Sequence, residues 1–199
     1  MTGSPMAEVL HSNLAEIEAS DIHKRLGLEK GKYILLSAHR EENIDTEKNF
    51  LSLFNAINKM AEKYDMPILY SCHPRSRKRL EASGFVLDRR EIQHEPLGFH
   101  DYNCLQMNAF AVVSDSGTLP EESSFFTSIG HPFPAVCIRT STERPEAIDK
   151  ACFIIAGIDS GSLLQAVDTA VSLNRDGFDG IPVPDYVDEN VSTKVVKII

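Results

Sequence analysis

The chain has 199 residues, of which 42% are hydrophobic and 25% are charged, and its formal net charge is −9. This composition is typical of a soluble globular protein with one sizeable core. The negative charge argues against nucleic acid or an anionic membrane as the main partner, because both require a positive surface. Four cysteines without CxxC spacing indicate buried reduced thiols and a cytoplasmic location, and no signal-peptide or membrane-spanning pattern is found.

The first predicted element is a helix that starts at Ser4-Pro5, because serine caps helices well and proline fits the first helical position. The polar stretch that follows, up to Leu28, has no regular apolar period. It indicates a linker or a short helical connection rather than a part of the core. Residues 1–28 are therefore predicted to be an inter-domain connection, and residues 29–199 the folded domain.

Apolar runs then alternate with helical patterns along the rest of the chain. A helix is predicted around Phe50–Met60, where apolar residues recur with helical spacing, and further helices are predicted between the later strands. The alternation predicts an α/β fold with a Rossmann-like parallel sheet flanked by helices. The predicted strands are Lys32–Ala38, Pro67–Cys72, Ile92–Glu95, Ala109–Val113, Ala135–Ile138 and Cys152–Ala156.

Two polar segments, Ser114–Glu122 and Arg139–Glu146, each follow a predicted strand. Open α/β sheets bind ligands at this edge, and hydroxyls, a glycine, carboxylates and arginines suit a phosphorylated ligand that carries hydroxyl groups. Neither GxGxxG nor GxxxxGK[ST] is present, so the usual dinucleotide and P-loop devices are absent.

Gly117 would let a phosphate approach the free N–H groups of a helix start. Glu121 or Glu122 could then accept two hydrogen bonds from ribose hydroxyls. In the alternative interpretation, Asp115 or Ser116 only caps the helix and the two glutamates favour its dipole. The residues alone leave both interpretations open.

Histidine or arginine follows three predicted strands: His39-Arg40, His73, and Arg139 with Arg144 further on. A loop histidine beside an arginine is a better functional candidate than one on an apolar face. The planar fork of arginine suits a diphosphate, although a surface pair of Arg144 or Arg139 with Glu143 is the plainer alternative. No metal-ligand spacing is evident among the histidines and cysteines.

Three motifs in this order resemble the non-hydrolysing UDP-N-acetylglucosamine 2-epimerases. His39–Asn43 is similar to their His-Arg-Arg-Glu-Asn element, Asp115–Glu122 to their Asp-Ser-Gly-Gly-x-Gln-Glu-Glu element, and Thr142–Glu146 is identical to Thr-Glu-Arg-Pro-Glu. Two positions depart from the family pattern, since Thr118 replaces a glycine and Glu41 an arginine. Pro120 and the stretch 133–137 are more similar to the capsule and O-antigen branch, which acts on UDP-2-acetamido-2,6-dideoxy-L-talose.

The resemblance implies the C-terminal, UDP-binding half of a two-domain fold similar to GT-B glycosyltransferases. The N-terminal half would be absent from this chain and would carry the groups that move the C2 proton. The implied chemistry is elimination of UDP to a 2-acetamidoglycal and re-addition with inversion at C2. No cofactor is implied, and the implied partners are a UDP-sugar, the missing half and, in the full-length protein, a second copy in a homodimer.

The same resemblance assigns the site residues. His39 would be catalytic at the junction of sugar and diphosphate, with Arg40 beside it. Ser116 and Gly117 would hold the diphosphate, and Glu122 the ribose hydroxyls. The remaining UDP-binding residues would be Arg144 near the phosphates, His73 facing the other domain and Tyr102 against uracil.

Three other readings of the sequence compete with an epimerase half. The first is a GT-B glycosyltransferase domain, which also binds a UDP-sugar. The second is a nucleotide-sugar sensing module without catalysis. The third is a structural domain whose strand-end residues form only caps and ion pairs.

Overall fold

The computed structural model describes residues 3–40, 43, 46–72, 74–139, 141–178 and 180–199. Helices and strands alternate after three short N-terminal helices, as an α/β fold requires. The helices are α1 Met6–Ser12, α2 Leu14–Glu18, α3 Ile22–Leu26, α4 Glu47–Tyr64, α5 Pro74–Ser83, α6 Phe99–Met107, α7 Leu119–Ser128, α8 Pro145–Asp149, α9 Ser160–Arg175, α10 Pro184–Val187 and α11 Val191–Ile198. The strands are β1 Ile34–Ser37, β2 Ile68–Ser71, β3 Glu91–His94, β4 Ala111–Ser114, β5 Ala135–Ile138 and β6 Ile154–Ala156.

The six strands form one sheet in the order β3-β2-β1-β4-β5-β6, and every neighbouring pair is parallel. This order and the helical crossovers define a doubly wound, Rossmann-like sheet. The predicted fold class is therefore confirmed. Strands β1, β2, β4 and β5 are buried along their whole length, as expected when helices cover both faces of a sheet.

Helix α4 shows how the sequence forms one of these layers. Thr46 caps it, because its hydroxyl accepts a hydrogen bond from the Asn49 amide at 3.2 Å. Its apolar residues recur with helical spacing, and that side of the helix, which includes Phe50 and Phe54, is buried against the sheet. The helix ends at Asp65, whose φ of 48° stops the helical repeat.

The N-terminal segment packs on the opposite face of the sheet. Ala7, Leu10, Ile17 and Ile22 are fully or almost fully buried in the core on that face, so the expectation that this segment lies outside the core is wrong. The chain forms three helices of 7, 5 and 5 residues here, and breaks between them interrupt any single apolar period. A role of the segment as an inter-domain connection stays a prediction.

The Ser4 hydroxyl accepts the Met6 amide at 3.2 Å, but the helix begins at Met6 with Pro5 as its N-cap, so it starts one residue later than predicted. The four cysteines are free and buried, as the sequence indicates. None of the helices in the described part of the chain combines the length and apolarity needed to cross a bilayer.

The two carboxyl oxygens of Glu91, the first residue of the edge strand β3, are buried. Neither of its carboxyl oxygens has a hydrogen-bond partner among the described residues. Burial raises the pKa of Glu91 to about 8, and the nearby Asp88 adds to the rise. The folded protein therefore disfavours the charged form, and this carboxyl group lowers stability as the pH rises through about 8.

Glu91→Gln is accordingly expected to raise the stability of the protein at pH 9 and to change it little at pH 4. A raised carboxyl pKa means that the folded state binds the proton more tightly, so the cost is absent below the unfolded pKa of about 4.3. Each pKa unit corresponds to about 1.4 kcal/mol, so the gain at pH 9 should be a few kcal/mol. Thermal unfolding at both pH values measures it, and an equal gain at both would contradict the prediction.

Candidate functional site

The strand order reverses between β1 and β4, which lie side by side at the centre of the sheet. In open α/β sheets the loops after two such strands run to opposite faces and leave a crevice that binds ligands. A cavity of about 410 Å³ lies at this point. Six of the predicted site residues line it, namely His39, Arg40, Tyr102, Ser116, Gly117 and Glu122.

The loop after β1 brings His39 and Arg40 to the cavity. The His39 amide donates to both carboxylate oxygens of Asp115, at 3.1 and 3.0 Å, and the Arg40 amide donates to Oδ2 at 2.9 Å. The Arg40 side chain donates through Nε to the Asp115 carbonyl oxygen at 3.2 Å. Asp115 therefore holds the neighbouring loop, and the alternative in which it only caps the following helix is wrong.

The turn between β4 and α7 forms one wall of the cavity. The Ser116 amide donates to Ser114 Oγ at 3.0 Å, and the Ser116 hydroxyl accepts the Thr118 amide at 3.3 Å. The φ of Gly117 lies outside the positive region, and no described atom lies within 4 Å of the position that a Cβ would take. The fold itself therefore does not require glycine at residue 117.

Glu122 lies in the first turn of α7 and is buried, with 8% of its surface exposed. Its Oε1 accepts from the Thr118 hydroxyl at 2.8 Å, and its Oε2 accepts from Gln106 Nε2 at 2.9 Å. Burial raises the pKa of this carboxyl group, while the hydrogen bonds from Gln106 and Thr118 oppose the rise. Two donors thus fix the carboxyl group at the edge of the cavity.

Helix α6 supplies the opposite wall through Tyr102. Burial raises the pKa of Tyr102 to about 12, with a further contribution from Glu122, so the phenol keeps its proton at neutral pH. One turn further along α6, Gln106 makes the contact with Glu122 described above. Helix α6 therefore contributes both an aromatic side chain and a support for the buried carboxyl group.

The outer side of α6 is tied to the N-terminal helices. The Ser20 hydroxyl donates to Asp101 Oδ1 at 2.6 Å, and Arg25 Nη2 lies 2.6 Å from Asp101 Oδ2. His100 Nε2 lies 2.8 Å from Asn13 Oδ1. The segment 13–25 therefore contacts the same helix that carries Tyr102.

Arg144 is placed in an ion pair with the buried Glu121, at 2.8 Å, rather than among the residues that line the cavity. Its guanidinium lies over the Tyr186 ring at 5.6 Å. The neighbouring Arg139 forms a two-pronged pair with Glu143, at 2.7 and 2.9 Å, which is the plainer of the two alternatives for this arginine. A location of Arg144 near a bound phosphate stays a prediction.

His73, the remaining predicted site residue, lies outside the described residues, as do Glu41 and Glu42. Sequence reasoning missed two serines that end central strands, Ser37 and Ser71, which lie side by side in the sheet. Both line the cavity. A serine as the last residue of several buried strands was the available signal, because a small polar side chain leaves space for a ligand.

The cavity is lined by His39, Arg40 and the Ser116–Gly117 turn, together with the buried Glu122 carboxyl group and the Tyr102 ring. Such a set suits a ligand that joins an anionic group to hydroxyls and a ring. Among the described residues, no group of three or more His, Cys, Asp or Glu could hold a metal ion. Fold and cavity together define a doubly wound α/β domain with a ligand site at its switch point.

The chain belongs to the UDP-N-acetylglucosamine 2-epimerase family, whose family model matches residues 1–199. It is 35% identical to a UDP-N-acetylglucosamine 2-epimerase of Methanococcus maripaludis over 149 residues, which make up 72% of this chain and 39% of that protein. The solved UDP-N-acetylglucosamine 2-epimerase of Rickettsia bellii is similar, with a TM-score of 0.85 and 36% identity over 99% of this chain and 52% of that one.

The Methanocaldococcus jannaschii enzyme solved in complex with UDP-GlcNAc and UDP gives a TM-score of 0.84 at 25% identity, covering all of this chain and 53% of that one. The chain thus spans about two fifths to one half of the length of these relatives. The activity of a whole epimerase is therefore a matter of proposal for this chain.

Proposed function

We propose that this chain is the UDP-binding half of a UDP-N-acetylhexosamine 2-epimerase. The observation that carries the proposal is the pairing, in one switch-point cavity, of the buried Glu122 carboxyl group with the open backbone at Gly117. The family supports the nucleotide, since one relative was solved in complex with UDP-GlcNAc and UDP.

Gly117 supports the diphosphate position. No described atom occupies the space beside its Cα, so a phosphate could approach the backbone there. The turn leads into the N-terminus of α7, where the helix dipole places a partial positive charge that favours an anion. Arg40 and His39 line the same cavity and would add to the stabilisation of a diphosphate.

Glu122 supports the nucleoside position. A carboxylate can accept two hydrogen bonds from the vicinal hydroxyls of ribose, and binding would exchange its contacts with Thr118 and Gln106 for contacts with the sugar. Tyr102 would offer its ring to uracil, with its phenol protonated.

The reaction would eliminate UDP across C1 and C2 and add it back with the opposite configuration at C2. The Arg40 guanidinium and the α7 N-terminus would stabilise the negative charge on the departing diphosphate, and His39 would sit at the bond that breaks. The groups that remove and return the C2 proton would belong to the other half of the protein. The isolated chain should therefore bind UDP without turnover.

A substrate of the capsule and O-antigen type, UDP-2-acetamido-2,6-dideoxy-L-talose, is the finer proposal, supported by Pro120 and the stretch 133–137. Relatives carry names for different sugars, and one from Pseudomonas aeruginosa, a UDP-2,3-diacetamido-2,3-dideoxy-D-glucuronate 2-epimerase, is 27% identical over 139 residues. The sugar would lie between the two halves, so its identity depends on both.

A GT-B glycosyltransferase is the competing proposal within enzymes. The likeness to the wall teichoic acid polymerase TagF, with a TM-score of 0.53 at 12% identity, shows the fold alone. Incubation of the full-length protein with a UDP-sugar in heavy water separates the two, because an epimerase exchanges the C2 hydrogen without an acceptor. A sensing module would bind the nucleotide sugar and show no exchange.

Calorimetric titration of the 199-residue chain with UDP is expected to give a dissociation constant on the order of 0.1–1 mM, because only half of the cleft is present. Gly117→Ala should weaken UDP binding at least about tenfold, since the added methyl group fills the space for the phosphate. The same variant should keep the Tm of the parent chain, because the fold leaves that space empty. Absence of heat at millimolar UDP with the parent chain would refute the proposed function.

A further inference from the structure

The Asp115 carboxylate is buried, with 2% of its surface exposed, although it lies at the edge of the cavity. Four hydrogen bonds replace the contacts with water that this buried carboxylate loses. Three come from the backbone amides of His39 and Arg40, as described above, and the fourth comes from Asn43 Nδ2 to Oδ2 at 3.1 Å. The hydrogen-bonding capacity of this carboxylate is therefore used by N–H donors of the protein and does not depend on a ligand.

Asn43 extends the same network to a third strand. Its side-chain amide also donates to the Ile138 carbonyl oxygen, the last of β5, at 3.0 Å. The Asn43 backbone amide donates to the Arg40 carbonyl oxygen at 3.1 Å, which closes the loop on itself. Asn43 is itself buried. The loop after β1 is thus attached to the ends of both β4 and β5.

We propose that Asp115 and Asn43 are positioning residues, which hold the backbone of His39 and Arg40 so that both side chains line the diphosphate end of the cavity. This inference rests on the proposed function. Arg40 is held at two points, because its amide binds the Asp115 carboxylate and its Nε binds the Asp115 carbonyl oxygen. Neither Asp115 nor Asn43 needs to touch UDP to affect its binding.

Asp115→Asn tests the proposal with almost no change in side-chain volume. One carboxylate oxygen becomes an NH2 group. In place of Oδ1 this group faces the His39 amide, and in place of Oδ2 it faces the amides of His39 and Arg40, so in either orientation it opposes a backbone N–H donor. UDP affinity is expected to fall at least tenfold in an NMR titration of the 199-residue chain. The amide resonances of His39 and Arg40 should shift already without UDP.

Asp88→Asn is the matched control. Asp88 also accepts a backbone amide, that of Arg90 at 2.9 Å, but it precedes β3 and does not belong to the residues that line the cavity. This variant is expected to lose thermal stability and to keep the UDP affinity of the parent chain. Asn43→Ser, which removes donors without adding any against the amides, gives a milder second variant if Asp115→Asn does not fold.

A double-mutant cycle separates positioning from a general structural role. If Asp115 acts through His39 and Arg40, Asp115→Asn should weaken UDP binding much less in a background that carries both His39→Ala and Arg40→Ala than in the parent chain. A full tenfold loss in both backgrounds, or an unchanged affinity of folded Asp115→Asn, would overturn the proposal. Absence of UDP binding by the parent chain would instead refute the proposed function, and this role with it.

Discussion

Replacement of Glu122 by glutamine is expected to reduce the affinity for UDP by about 10- to 100-fold. The proposed hydrogen bonds from ribose would lose a charged acceptor, and a hydrogen bond to a charged group contributes about 1.5–3 kcal/mol. The carboxylate is the stronger acceptor, so affinity should also fall as the pH is lowered. Because burial raises the pKa of Glu122, the fall should begin at a higher pH than for an exposed glutamate.

The fold should tolerate this change. Gln106 Oε1 is buried without a hydrogen-bond partner among the described residues, and a turn of the Gln106 amide would present it to the new NH2 group. Glu91→Gln is the control, since it also replaces a buried carboxyl group by an amide but lies at the opposite end of the strands. NMR titration with UDP measures both, and equal losses in the two variants would contradict a role of Glu122 in the site.

Phe54→Ala is expected to lower the free energy of unfolding by about 3–5 kcal/mol, as is typical of a buried phenylalanine. Phe54 is fully buried on α4. Its ring centroid lies 4.7 Å from that of Phe50, 5.7 Å from that of Tyr70 and 6.1 Å from that of Phe85. The variant would lose apolar burial and these ring contacts and would leave a cavity between helix and sheet.

Urea denaturation measures the loss, with Phe178→Ala as its control. Phe178 is 68% exposed, so its removal should change stability by less than about 0.5 kcal/mol. A loss below about 1.5 kcal/mol for Phe54→Ala would indicate that the neighbouring rings collapse into the space.

The fold could be predicted because each buried strand is a short apolar run followed by polar residues. All six predicted strands are present, and their ends agree with the prediction to within two residues. The short helix α10 was not predicted, since 4 residues are too few to show a helical period. The buried positions of α1–α3 were not predicted either, because these helices are also too short to show a helical period.

The candidate site could be predicted in part. Strand ends placed His39, Ser116 and Glu122 at one edge of the sheet, and the family motifs gave them roles. The partners of these residues come from distant parts of the chain, as Gln106 does for Glu122 and Asp115 for the loop after β1. Pairing of this kind depends on the order of the strands, which the alternation of elements alone does not reveal.

Helix α6 has contacts on two sides. Asp101 binds the N-terminal segment, while Tyr102 lines the cavity and Gln106 binds Glu122. If a bound nucleotide stabilises the contacts between α6 and the N-terminal helices, those contacts must stabilise the bound nucleotide by the same free energy. Nucleotide binding should therefore slow amide hydrogen exchange in segment 13–25, which does not line the cavity. Hydrogen exchange in the N-terminal helices would thus report on whether the cavity is occupied.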